Sequence, residues 1–290
     1  MQKLYVKIAE PIVPLLEEHF CETGEVEWVV EKKTDNTPPE LFGYFEDGDC
    51  ARKAYIQLRA AFPELPEEFV LTTVEDRDWK EEYKKFLTAW NCGGLHWVPV
   101  WMQDTYVVPP ADKVFYFDAG LAFGTGDHPT TRMCMLAIIK YLRENNGADK
   151  FLIDAGCGSG ILSLSAKLMG FGRVFGFDRD PEAIRASLAN AKLNGINLDG
   201  VEFAHGGIEK SLSGREADIL VANIQADVLR IYAENIIGAV RGGGTLVLSG
   251  ILLSESDEVR KYFEAKAAER LVSSNGSSMG DWFCLEMVLR

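Results

Sequence analysis

The sequence predicts an α/β protein in two parts: a small α+β module of ferredoxin-like order, then a doubly wound, Rossmann-like sheet ending in an antiparallel hairpin. Three observations predict it. From about residue 128, short apolar runs alternate with amphipathic helical stretches, the pattern that builds a parallel sheet covered on both faces. A glycine-rich turn, "DAGCGSG" (154–160), joins the first of those runs to a helix. Ahead of residue 76, the order strand, helix, strand, strand, helix, strand is that of a split β-α-β module.

In chain order, "LYVKIA" (4–9) predicts a strand and "EPIVPLLEEHF" (10–20) a short helix, with Pro11 tolerated in its first turn. Strands follow at 26–33 and 40–47, a helix at 50–62 and a strand at 68–75. This first module spans 1–75. The charged amphipathic stretch "DRDWKEEYKKFLTAW" (76–90) predicts a linker helix, and residues 76–92 form the linker. Residues 93–290 then form the second domain, opening on extended, tryptophan-rich segments, "LHWVPVWM" (95–102) and "TYVVPP" (105–110). Trp97 and Trp101 read there as packing residues. Cys92 and His96 have a CxxxH spacing but no second pair, so no metal site is expected.

The helix after residue 128 places Cys134, Ala137, Ile138, Tyr141 and Leu142 on one face. "KFLIDAG" is a strand, "GILSLSAKLMGF" a helix, "RVFGFD" a strand and "DPEAIRASLANAKLNG" a helix. Strands at "VEFAHG" and "ADILVANI" come next, then a helix near 226–239, the strand "GGTLVLSGI" and a helix near 254–268. "RLVSSN" and "WFCLEMVLR" have no helix between them and predict a hairpin with one antiparallel strand.

Composition narrows the function classes. Of the −14 net charge, residues 1–76 carry 17 Asp and Glu against 7 Lys and Arg. So acidic a first quarter disfavours nucleic acid and anionic lipid and suits a basic partner, although solubility alone also favours such charge. No apolar run approaches the roughly 18 residues of a membrane span. The first residues lack the apolar centre of a signal peptide. The six cysteines form no regular ladder and read as free thiols, so a cytoplasmic protein is expected; the chain is expected to act as a monomer.

The candidate site gathers at the carboxyl ends of the second domain's strands, where ligands of open α/β sheets bind. Gly156, Gly158 and Gly160 remove side chains where a ligand must approach the backbone, with Asp154 just ahead. The spacing is GxGxG, with Ile161 at the sixth position where dinucleotide-binding folds place a glycine. Asp178 ends the next strand, where a carboxylate can accept hydrogen bonds from both ribose hydroxyls of an adenosine. Asn223 ends a third strand; its amide oxygen and a neighbouring carbonyl can accept hydrogen bonds from an amine, and the alternative is a helix cap. "GLAFGTGDHPTT" (120–131) packs three glycines ahead of a helix begun by Pro129. His128 reads there either as a general base or as a cap on the turn.

"GLAFGTGDHPTT", "DAGCGSGILSLSAKLMG", "GFDRDPEAIRASLANAKLNG", "VANIQADVL" and "LSGIL" resemble the PrmA family, methyltransferases of large-subunit ribosomal protein eleven. The resemblance implies a class I methyltransferase sheet and S-adenosylmethionine as cofactor. It implies N-methylation of lysine side chains and the N-terminal α-amine of a basic ribosomal protein, with no direct contact to nucleic acid or membrane. Cofactor positions are then Phe123, Gly124, Thr125, Gly126, Thr130, Thr131, Asp154, Gly156, Gly158, Gly160, Asp178, Ile208 and Asn223. Phe123 would shield the methyl group under an arching 120–126 loop, and Ile208 with backbone amides would meet the adenine. Catalytic positions are Asn223, the Ile224 carbonyl and His128, with water taking the proton. The sequence departs from the family at Ala119 and Gln225, and carries no acid at Gly206 or Gly207, where many methyltransferases place one near adenine. The alternatives are a lysine methyltransferase of another protein and, less favoured by the GxGxG spacing, a nicotinamide-dependent oxidoreductase.

Overall fold

A computed structural model describes residues 2–23, 28–31, 38–73, 87–117 and 128–290. The chain divides into two compact units, Met1–Phe86 and Leu87–Arg290.

In the first unit, β1 (Gln2–Lys7) pairs antiparallel with β3 (Glu40–Phe45) and β4 (Val70–Thr73), and β3 with β2 (Trp28–Glu31). The sheet order is β2-β3-β1-β4. With α1 (Val13–Thr23) and α2 (Gly48–Ala61), this is compatible with the expected ferredoxin-like module. Strict alternation in β1 sends Leu4 and Val6 into a core shared with Leu16, Leu41, Tyr55 and Leu58. Helix α2 starts where Asp47 accepts hydrogen bonds from Asp49 N (2.9 Å) and Cys50 N (2.8 Å). Residues 74–86, most of the expected linker helix, lie outside the described residues. At its far end Trp90–Cys92 is a strand, not helix, because Trp90 stacks flat on Trp97 across the ladder, ring centroids 3.9 Å apart.

The second unit opens on a three-stranded sheet of β5 (Trp90–Cys92), β6 (Leu95–Pro99) and β7 (Lys113–Phe117). The expected extended run at 95–102 breaks into a 3-10 turn after Pro99, and 105–110 is irregular. Both ring nitrogens of His96 are engaged, with Tyr106 Oη and Asp112 Oδ2, each at 2.9 Å.

The main sheet has seven strands: β8 (Phe151–Ala155), β9 (Arg173–Asp178), β10 (Val201–His205), β11 (Ala217–Asn223), β12 (Val240–Leu252), β13 (Leu271–Met279) and β14 (Trp282–Leu289). Their order is β10-β9-β8-β11-β12-β14-β13. β10, β9, β8, β11 and β12 run parallel, and β14 inserts antiparallel to both β12 and β13. The hairpin therefore stands as expected, with its second strand on the inside.

Helices α3 (Pro129–Glu144), α4 (Ile161–Met169), α5 (Pro181–Leu193), α6 (Ile208–Leu212), α7 (Ala226–Ile231), α8 (Ala233–Gly238) and α9 (Ser256–Lys266) flank the sheet. The single helix expected at 226–239 is interrupted at Tyr232, and α6 fills the gap between β10 and β11 where no helix was expected. β11 is buried along all but its last residue, as a strand covered on both faces requires. Among the described residues no helix is long and apolar enough to cross a membrane.

Candidate functional site

Parallel registry brings the predicted residues to one edge. Val221 pairs with Asp154 and Asp154 with Gly176, so β8, β9 and β11 end side by side with Asp154, Asp178 and Asn223 at or next to their last positions. The turn after β8 is knit to β9: Gly156 N and Cys157 N both donate to Phe177 O, at 2.9 and 3.0 Å. Gly156, Gly158 and Gly160 take φ of 75°, 52° and 74°, the left-handed region that glycine enters without steric penalty. From α5, Ser187 Oγ donates to Gly158 O (3.0 Å) and Asn190 Nδ2 to Ser159 O (2.9 Å). Helix α5 thus grips the turn from behind.

Asp178 accepts from Gly158 N through one oxygen and from Asp180 N through the other, each at 3.0 Å. A carboxylate offers about four acceptor positions, so two remain for ribose hydroxyls. Asp154 is buried; Oδ2 accepts from Ser163 N (3.1 Å) and Ser163 Oγ (2.7 Å). Its Oδ1 is also buried and has no hydrogen-bond partner among the described residues. Burial pushes its pKa up to about 6 against the pull of the Ser163 hydrogen bonds. An ionisable acceptor with no partner among the described residues, beside a glycine-rich turn, fits a cationic, amine-bearing nucleoside, since a positive charge there favours the carboxylate.

Asn223 Nδ2 donates to Thr131 Oγ1 over a long 3.5 Å, which directs the amide oxygen away from α3. Thr130 and Thr131 are buried in the first turn of α3, and Ser249 Oγ donates to Thr130 O at 3.3 Å. His128 is the cap of α3. Its Nδ1 accepts from Thr130 N (3.4 Å) and lies 2.7 Å from Thr130 Oγ1, while its ring packs edge-on against Trp282. Burial lowers its pKa. With Nδ1 accepting, the neutral ring carries its proton on Nε2 and offers no lone pair to a substrate, so the geometry favours the cap over the base.

Ile208 opens α6 just beyond β10, buried and on the same edge as Asp178. Gly206 N donates to Asp178 O at 2.8 Å, holding that edge together. Phe123, Gly124, Thr125 and Gly126 lie outside the described residues. Sequence reasoning missed Ser163, Ser187 and Asn190. Their signal is a hydroxyl or amide buried within a largely apolar helix. Two surface cavities, of about 180 and 570 Å³, lie at the amino ends of the strands, lined by Arg173 and Gly200 in one and Gly214 and Gly238 in the other. They are remote from this chemistry and contribute nothing to it.

A seven-stranded sheet of this order, with a glycine turn after its first parallel strand, a carboxylate ending the next and an amide at the edge of a third, defines a class I S-adenosylmethionine-dependent methyltransferase. The nicotinamide alternative falls away with it. The chain belongs to the ribosomal protein L11 methyltransferase (PrmA) family, whose model matches residues 9–290. Among its relatives, the ribosomal protein L11 methyltransferase of Cupriavidus pinatubonensis is 38% identical over 75% of this chain and 68% of its own length. That of Shewanella sediminis is 41% identical over 69% of this chain and 66% of its own. The crystal structure of a ribosomal protein L11 methylase from Lactobacillus delbrueckii subsp. bulgaricus matches 70% of this chain and 100% of that one, at 25% identity and a TM-score of 0.61.

Proposed function

We propose that this chain methylates amines of ribosomal protein L11, its lysine side chains and its N-terminal α-amine. Family membership supports the substrate, and the names of the relatives carry the same one. The observation that carries the amine chemistry is the pair of free acceptors at the end of β11. Neither Asn223 Oδ1 nor Ile224 O accepts a hydrogen bond from a described residue.

When bound, S-adenosylmethionine supplies an electrophilic methyl group on a cationic sulphur. The residues do the rest. With an ordinary lysine pKa of about 10.4, about one amine in two thousand is neutral at pH 7. Desolvation at a half-buried edge lowers that pKa. Asn223 Oδ1 and Ile224 O accept the two hydrogens of the neutral amine, and its lone pair is left facing the reacting carbon. Water takes the proton, and positioning supplies most of the rate. Asp154 and Asp178 hold the cofactor, Thr131 sets the orientation of the Asn223 amide, and His128 fixes the start of α3.

The test is Asn223→Ala, assayed on ribosomal protein L11. Turnover should fall by about a hundredfold while calorimetry shows cofactor binding within a few-fold of the parent. Full turnover would end the assignment. Methylation of another basic protein but not of L11 would leave the chemistry standing and transfer the substrate.

A further inference from the structure

Ile224 is enclosed by two glycines, one in the turn after β8 and one in β12. On one side the Ile224 side chain presses on the cofactor turn: a Cβ added at Gly156 would lie 2.5 Å from Ile224 Cγ2. On the other side is Gly250, near the end of β12. A Cβ there would lie 2.4 Å from Ile224 O, 2.9 Å from its carbonyl carbon and 3.0 Å from its nitrogen. These are backbone atoms, so no rotamer change relieves the overlap. Gly250 also takes φ 81°, and the pairing of β12 with β14 shifts register between Leu248 and Ile251, around this residue. Bulges of this kind bend a strand locally and concentrate beside active sites.

We propose that Gly250 is a positioning residue of the acceptor site: its bare Cα seats the Ile224 peptide and keeps the Ile224 carbonyl uncovered for the incoming amine. The inference rests on the reading of Asn223 and Ile224 given above. A side chain at position 250 both displaces the peptide and occupies the space beside the carbonyl oxygen. The cofactor residues Asp154 and Asp178 lie on β8 and β9, neither of which pairs with β12, and are expected to keep their places.

The same strand contains its own control. Gly243 has φ 79°, close to that of Gly250, but a Cβ there meets nothing within 4 Å. Gly243→Ala therefore carries the backbone strain without the collision. In Gly250→Ala, kcat on ribosomal protein L11 should fall by about a hundredfold, the effect of an ångström-scale misplacement, with the cofactor Kd within about twofold of the parent. Gly243→Ala should lose thermal stability and keep kcat. Equal kcat in the two variants overturns the proposal. Asn223→Ala is run alongside. If it lowers turnover and Gly250→Ala does not, only this inference falls; if it leaves turnover intact, the acceptor reading and this inference fall together. If Gly250→Ala is insoluble, Ile224→Ala takes its place, removing the side chain that braces the peptide against Gly156. Reduced kcat at unchanged cofactor Kd supports the enclosure, and unchanged kcat overturns it.

Discussion

At Asp154 burial opposes the charge, the Ser163 hydrogen bonds support it, and burial prevails. The folded pKa of about 6 lies above the ordinary 3.8. The native protein therefore holds an extra proton between those values. By linkage, this group's contribution to stability declines as pH rises through that window and levels off above it. Binding of a cation should do the reverse and favour the carboxylate. Cofactor affinity, measured by calorimetry between pH 5 and 8, is expected to tighten as pH rises through about 6. Asp154→Asn should flatten that profile, and Ser163→Ala should move its midpoint upward. Asp178→Ala, which removes an acceptor of charge-assisted bonds, should weaken cofactor binding by about a hundredfold. Asp154, Asp178 and Asn223 are legible in sequence because few residue types at a strand's end can meet a cation, a diol or an amine. Ser163 is only half legible: a hydroxyl in an apolar helix signals a polar partner, but not that the partner is the carboxylate of Asp154.

At the scale of elements, the parallel strands are legible from their short apolar runs, and the helices between them from their periodicity. β5, β7 and α6 are not. β5 continues the helical pattern of the stretch before it until tryptophan stacking overrides it. β7 pairs in parallel with β6 although only a 3-10 turn and irregular chain connect them, where a parallel crossover usually holds a helix. The break at Tyr232 leaves α7 and α8 on the same apolar face, so the periodicity runs on across it. The contact of α5 with the cofactor turn makes a prediction of its own. A Cβ at Gly160 would lie 2.6 Å from Ser187 Oγ in a left-handed backbone. Gly160→Ala should destabilise the fold by about 2–4 kcal/mol, read by chemical denaturation. Ser187→Ala should recover part of that loss, since it shortens the side chain being struck.

For the whole molecule, the two units have separate cores. Leu4, Leu16 and Tyr55 belong to one, and the sheet and helices from residue 87 onward close on themselves. The acidity is concentrated in the first, where residues 1–76 hold 17 of the 44 Asp and Glu. Removing residues 1–76 is expected to leave cofactor binding intact and to abolish methylation of a basic protein; equal methylation by the remainder would contradict a recognition role for that module. The two-part organisation is legible from charge and motif placement, since the acidic excess lies ahead of residue 76 and the glycine-rich motifs all follow it. The boundary itself is less so, since the charged stretch before Trp90 reads as one helix with it.

The antiparallel β14, lodged between β12 and β13, has a consequence for how the protein is made. The strand translated after all its neighbours is an interior one, and until it emerges β12 and β13 have no partner on their facing sides. The sheet therefore cannot be completed until β14 has been made.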